Sequence, residues 1–231
     1  MHIFDYLTTM IEKSNVKVSL KTEVDERLIR KVAPDAVVVA NSSPYFIPDI
    51  PGMSRKNVFT IPMMSKLAQV PMKMFGPDKL ASMSEKFFPV GKKVLIWGAG
   101  AEGAQCAEFM RKRGKEIVLV AENDDIGGLI PLKYKERIVP WFERKNVRIV
   151  RNSTVAEFTK KGAVVSGADG SEELIECDSM MVMLPEVRDP AFFDMARSIV
   201  PETYEIGSTL GGENAFFKHA FADGRRVGCL I

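Results

Sequence analysis

Gly98, Gly100 and Gly103 punctuate the run Trp97-Gly-Ala-Gly-Ala-Glu-Gly-Ala104, and an acidic residue, Glu122, stands about 20 positions further on. Glycines at this spacing let a backbone turn sharply, approach a pyrophosphate with no Cβ in the way, and pack a helix close on a strand. A carboxylate at that distance can accept hydrogen bonds from the ribose hydroxyls of an adenosine. The chemistry implied is capture of a dinucleotide by its linked phosphates. Backbone from Gly98 through Ala99, Gly100, Ala101 and Glu102 to Gly103 is the candidate diphosphate site, with Glu122 and Asn123 at the ribose. Glu122 would repel a 2′-phosphate, and Asn123, Asp124 and Asp125 occupy the positions where Arg or Lys would suit one. NAD(H) is therefore expected in preference to NADP(H).

Such a glycine pattern carries weight only between a strand and a helix. Both are expected here. Val94–Trp97 is a short apolar run, β-branched at its start, of the kind buried on both faces of a parallel sheet. Ala101, Ala104 and Ala107 keep one face of the following helix small. That helix ends at Gly114, after Arg111, Lys112 and Arg113, which suit the negative end of its dipole. Its other end directs N–H groups and positive potential at the phosphates. Ile117–Val120 is the next strand and delivers Glu122 to the edge of the sheet.

Bulk properties narrow the partners. A chain of 231 residues, 46% hydrophobic and 27% charged, is ordinary for a globular protein of one or two domains. A net charge of +2 with scattered basic residues gives no case for nucleic acid. No apolar run approaches the roughly 20 residues of a membrane span. The N-terminal residues lack the basic start of a signal peptide, so the cytoplasm is expected. Cys106, Cys177 and Cys229 lie far apart and form no C-x-x-C, which argues against a local redox dithiol or a Cys-held iron–sulfur cluster. His2 and His219 have no metal partner near them in sequence, and no metal site is expected.

Around this unit, residues 3–13 predict an amphipathic helix, Val16–Leu20 a strand, and Asp35–Ala40 a buried strand. Asn41–Gly52 is turn chemistry. Residues 58–90 form a Met- and Pro-rich connector with a short helix at Asp78–Phe88, its methionines (Met63, Met64, Met72, Met74, Met83) expected as core filler. A helix at Lys133–Lys145 leads to the strand Val147–Val150. Short strands follow at Thr154–Phe158, Ala163–Val165 and Glu173–Glu176, and Asp178–Leu184 closes the unit. A strand end at Thr203–Gly207 and a helix at Glu213–Phe221 complete the chain. The fold class expected is α/β, a Rossmann-like parallel sheet. Residues 91–187 are expected to form a unit of their own between residues 1–90 and the return segment 188–231.

Together these segments resemble the two-dinucleotide-binding flavoproteins. They are most similar to the C-terminal portion of the NADH:flavin oxidoreductases, the relatives of 2,4-dienoyl-CoA reductase, 2-enoate reductase and trimethylamine dehydrogenase. Pro34-Asp-Ala-Val-Val-Val-Ala-Asn-Ser-Ser-Pro-Tyr-Phe-Ile-Pro-Asp-Ile-Pro-Gly52 is similar to that family's D-x-V-V-x-A-T-G-S-x-P…I-P-G, and the glycine turn to its inserted NAD domain. Glu176–Pro190 resembles the strand that ends the insertion, and Glu202–Ile231 the closing strand and helix. The resemblance implies hydride transfer from NADH to a flavin and reduction of an activated alkene by an FMN and iron–sulfur barrel. It also implies FAD or ADP contacts at Ser42, Gly207 and Ser208, and that the 91–187 unit is an NAD-binding domain inserted in an incomplete FAD/ADP-type nucleotide domain.

Three departures bear on that implication. The family's earlier glycine-rich unit and its barrel are missing from this sequence, so a fragment of a longer enzyme is expected, with self-association through an exposed sheet edge. Ala40-Asn41-Ser42 replaces A-T-G, and Gly207-Ser208 replaces Gly-Asp. Gln105 also stands where an acid is common. A non-catalytic nucleotide-binding or scaffold module therefore stands as the alternative. No catalytic acid, base or nucleophile is nominated; Asp178 and Glu186 are expected at strand ends and solvated turns.

Overall fold

The computed structural model describes residues 3–86, 90–128, 130–210 and 217–231. In chain order its first half holds α1 (Ile3–Glu12), α2 (Glu26–Val32), β1 (Val37–Val39), β2 (Val58–Thr60), α3 (Ile61–Lys86), β3 (Lys93–Trp97), α4 (Ala101–Lys112) and β4 (Glu116–Val120). There follow α5 (Leu132–Arg144), β5 (Arg148–Val150), β6 (Ser153–Phe158), β7 (Gly162–Gly167), β8 (Glu172–Glu176), β9 (Ser179–Val182), α6 (Ala191–Ile199), β10 (Thr203–Glu205), a 3₁₀ turn Gly207–Leu210, and α7 (Phe217–Gly228). The fold is a Rossmann-like α/β arrangement. Two compact units divide it: residues 1–39 with 190–204, and residues 40–189 with 205–231.

The larger unit is built on a parallel sheet in the order β2-β9-β3-β4-β5. β3 lies in its middle and is buried on both faces. Val94 and Ile96 point into a core shared with Ala104, Ala107 and Met110 of α4 and Ile138 and Phe142 of α5. Leu95 and Trp97 point the other way, onto Val155, Phe158 and Val165 of the antiparallel sheet β6-β7-β8. The Trp97 and Phe158 rings meet edge to face, 6.2 Å between centroids. Strand order runs outward from β3 in both directions. The crevice at the carboxyl ends of β3 and β9 is thus a topological switch point, where open α/β sheets take their ligands.

The smaller unit pairs β1 with β10 and packs Ile29, Val39, Ala196 and Val200 into a core of its own. Asp25 caps α2 by accepting a hydrogen bond from the Leu28 amide, 2.8 Å away, and Ala33 ends that helix in the left-handed conformation.

Several expectations are corrected. No strand forms at residues 16–20: Val16, Val18 and Leu20 are exposed, and no strand among the described residues pairs with them, so the alternation has no face to bury. The connector holds more structure than expected. β2 pairs in parallel with β9, and the Met180 amide donates to the Asn57 carbonyl at 2.9 Å. α3 is a long helix broken at Gly76, where φ is 74°. Met63, Met72 and Met74 are exposed rather than core filler, while Met64 packs against the helix-side core; the Met83 side chain lies outside what the structure describes. α6 forms where the sequence predicts no element. The closing helix runs to Gly228, and residues 213–216 of its expected span lie outside the described residues, as does His2.

Candidate functional site

Each glycine of the turn after β3 has a distinct environment. Gly98 adopts φ 101°, and a Cβ there would stand 2.3 Å from the Met183 carbonyl oxygen. A Cβ on Gly103 would sit 1.7 Å from the Gly98 carbonyl oxygen. Both positions require glycine because the fold leaves no room. Gly100, the N-cap of α4, differs: the nearest atom a Cβ would meet is a Glu102 carboxylate oxygen at 4.0 Å. Among the described residues nothing lies closer, and the space above Gly100 is open.

The loop after β4 folds against this turn. The Gly127 amide donates to the Ala99 carbonyl at 2.7 Å, and Gly128 follows with φ 52°, close to the Gly100 Cα. The Gly127-Gly128 doublet falls outside the sequence-predicted site, although two adjacent glycines shortly after Glu122 are its visible signal. Within the loop the acids have separate duties. Asp125 pairs with Lys135 at 2.6 Å. Asp124 takes Arg151 on its carbonyl at 2.8 Å and Asn152 on its carboxylate at 3.3 Å. Asn123 accepts from the Asp125 amide at 2.9 Å, so its side chain shapes the loop. Glu122 is exposed, and among the described residues its carboxylate has no hydrogen-bond or ion-pair partner.

α4 is held in place by a charge cluster on its flank. Glu108, buried on α4, accepts from Arg137 through two 3.1 Å bonds, from Lys112 at 2.8 Å, and from the Tyr134 hydroxyl. Burial pushes the Glu108 carboxyl up, but the hydrogen bonds from Arg137, Lys112 and Tyr134 outweigh it and bring it down to about 2. Burial and the bond to Glu108 push Tyr134 up to about 12. Cys106, on the same helix, touches Met181 sulfur to sulfur at 3.6 Å, and burial pushes its thiol up to about 12; it is a packing residue.

Beyond β9 the chain returns past the turn. The Met183 amide donates to the Trp97 carbonyl at 2.7 Å. Residues 185–187 then bridge to residues 44–46: Phe46 donates to the Pro185 carbonyl at 3.0 Å and Val187 to the Pro44 carbonyl at 2.8 Å. This brings the Tyr45 hydroxyl onto the Glu186 carboxylate. Glu186 is half-buried, one of its oxygens is buried with no partner among the described residues, and Glu102 lies within electrostatic reach of both side chains. Burial raises the Glu186 carboxyl above its ordinary range; the Tyr45 hydrogen bond pulls against that rise and the Glu102 charge adds to it. The expectation of a solvated turn at Glu186 is therefore corrected, because the bridge to Tyr45 draws it inward. Asp178 does serve a strand end, accepting from the Lys92 and Lys93 amides at 2.8 Å each.

The remaining predicted positions form a second group. Ser42 is exposed, and its neighbour Ser43 is buried, donating to the Thr209 carbonyl at 2.9 Å. The Thr209 hydroxyl in turn bonds the Asn41 carbonyl. Gly207 has φ 66° and donates to Asp223 at 3.2 Å, with Ser208 beside it. The structure thus joins Gly98–Gly103 with the Glu122 loop, and residues 41–43 with 207–209. Among the described residues no hydrogen bond or ion pair links the two groups.

An open glycine turn at a switch point, with a free carboxylate at the end of the neighbouring strand, is the arrangement of a dinucleotide-binding α/β protein. The chain belongs to the pyridine nucleotide-disulphide oxidoreductase family, whose profile matches residues 3–186. It is 24% identical over 148 residues to a cinnamate reductase of Clostridium sporogenes, covering 62% of this chain and 22% of that protein. It is 25% identical over 190 residues to a bilirubin reductase of Mediterraneibacter gnavus, covering 82% of this chain and 26% of that one. An NADH oxidase of Thermoanaerobacter brockii is 18% identical over 226 residues, which are 94% of this chain and 32% of the oxidase. The chain therefore spans about a third or less of these relatives' lengths. Among solved structures, a 2-naphthoyl-CoA reductase in complex with 2-naphthoyl-CoA superposes with a TM-score of 0.71 at 25% identity, covering 98% of this chain and 31% of that one.

Proposed function

We propose that this chain is the pyridine-nucleotide-binding portion of a flavin-dependent oxidoreductase. It binds NAD(H) with the diphosphate over Gly98–Gly103 and the adenosine ribose on Glu122. The carrying observation is Gly100: unlike Gly98 and Gly103, it meets no neighbour among the described residues that demands glycine, which supports room left for a ligand. In the longer enzyme, NADH bound here passes hydride to a flavin, and an FMN and iron–sulfur barrel reduces an activated alkene. The reductases among the relatives support that class. NAD(H) supplies the hydride chemistry; Gly98–Gly103, Glu122 and the α4 N-terminus hold and orient it. The reading keeps 91–187 as the NAD domain, 1–90 and 188–231 as parts of the first nucleotide domain, and the cytoplasm as location, which the three free cysteines suit. It also keeps self-association through an exposed sheet edge.

A titration followed by NADH fluorescence tests this. Saturable binding of NADH, with NADPH at least tenfold weaker, is expected for a free carboxylate facing the ribose. Absence of NADH binding overturns the proposal.

The non-catalytic module is favoured by one observation. At the turns where FAD or ADP contact is implied, Ser43, Thr209 and Asn41 satisfy one another. A purified protein that is colourless, binds NADH, and fails to oxidise it with added flavin supports this second reading; a yellow one supports the first.

A further inference from the structure

This inference rests on the dinucleotide reading above. In the sheet, β4 flanks β3 on one side and β9 on the other. With the diphosphate over the turn after β3 and the adenosine over Glu122 at the end of β4, the other half of the coenzyme runs toward the residues that follow β9. Those residues carry Glu186, with Tyr45 opposite. Tyr45 satisfies part of that carboxylate, and among the described residues the buried Oε2 has no donor. A buried oxygen in that state is costly unless a ligand supplies the missing hydrogen bond. Glu102, in the first turn of α4 just past Gly100, is close enough for its charge to act on both side chains. The pair is not needed to hold the two segments together, because backbone bonds between residues 44–46 and 185–187 already do so.

We propose that Glu186, positioned by Tyr45, is the nicotinamide-end residue of the site, accepting from the carboxamide, and that its charge makes the chain bind oxidised NAD+ more tightly than NADH. The nicotinamide ring is cationic in NAD+ and neutral in NADH, whereas the diphosphate charge is common to both and cancels in the ratio of their affinities. By linkage, tighter binding of the oxidised form lowers the reduction potential of the bound couple and favours loss of hydride.

Dissociation constants of NADH, NAD+ and ADP-ribose, measured calorimetrically on the 231-residue chain at pH 8, test this. Wild-type protein is expected to prefer NAD+. In Glu186→Gln that preference falls about tenfold, the scale of one charge–charge interaction near a protein surface. ADP-ribose, which lacks the ring, binds both proteins equally, and Tyr45→Phe, which keeps the carboxylate, retains the preference. A wild type that prefers NADH overturns the assignment whether or not the variants fold. So does an unchanged ratio in Glu186→Gln, or an equal loss for ADP-ribose, which marks a structural role. If the wild type binds none of the three ligands, the dinucleotide reading fails and this inference with it; if ADP-ribose binds and the ratio is indifferent to Glu186, only the inference fails.

Discussion

The N-terminal mouth of α4 and its flank against α5 use the same residue types to opposite ends. On the flank, Glu108 is surrounded by Arg137, Lys112 and Tyr134, and nothing in the cluster is left over. At the mouth, Glu122 has no partner among the described residues and Gly100 faces open space. Gly103, only three positions on, is pressed against backbone. A residue whose type is demanded by its neighbours maintains the fold; one whose type the neighbours leave unexplained is available to a ligand. The contrast separates the two roles within a single helix.

Substitutions can sharpen or break that contrast. Gly103→Ala drives a methyl into the Gly98 carbonyl and is expected to cost about 3 kcal/mol of stability, measured by urea unfolding. Gly100→Val, by contrast, is expected to abolish NADH binding while changing stability by about 1 kcal/mol at most, the effect of altering an N-cap. Equal destabilisation by both variants would erase the distinction.

The flank has a pH signature. The Glu108 carboxyl lies at about 2 in the folded chain, below its ordinary value, so its contribution is present above the unfolded value and disappears as pH falls toward 2. Unfolding followed from pH 5 to pH 2 should show a loss of about 3 kcal/mol that Glu108→Gln, already destabilised, does not repeat. At the mouth, Glu122→Ala should weaken NADH binding by about 1.5–3 kcal/mol with the melting temperature unchanged. The smallest effect belongs to Glu102, whose exposed carboxylate lies 4.0 Å from where a Gly100 Cβ would stand and opposes a diphosphate. Glu102→Gln should tighten NADH binding about twofold at low salt and have no effect at high salt.

Legibility in the sequence followed the range of the interactions. The β3–α4–β4 unit is local, and its glycines, apolar strand and closing Gly114 are enough to specify it. Gly98 and Gly103 are packed as their spacing implies. β2 is hidden because three residues, Val58–Thr60, become a strand only by pairing with β9, far along the chain. α3 is hidden by Pro62, Pro71 and Pro77, which break the helical pattern that its kink at Gly76 accommodates. Tyr45 and Glu186 carry no signal, since each sits in turn-like sequence and acquires meaning only from the bridge between them. Residues 16–20 teach the reverse lesson: their alternation is genuine, but a strand needs a neighbour.

The segment from Met183 to Val187 is fastened at both ends, to Trp97 on one side and to Pro44 and Phe46 on the other. Its length is consequently set to the residue. A single insertion or deletion there would pull Glu186 away from Tyr45 or lift Met183 off Gly98, whereas the exposed hairpin tip at Ala168–Gly170 should accept an added peptide without disturbing either. Epitope tags and reporter dyes belong at that tip.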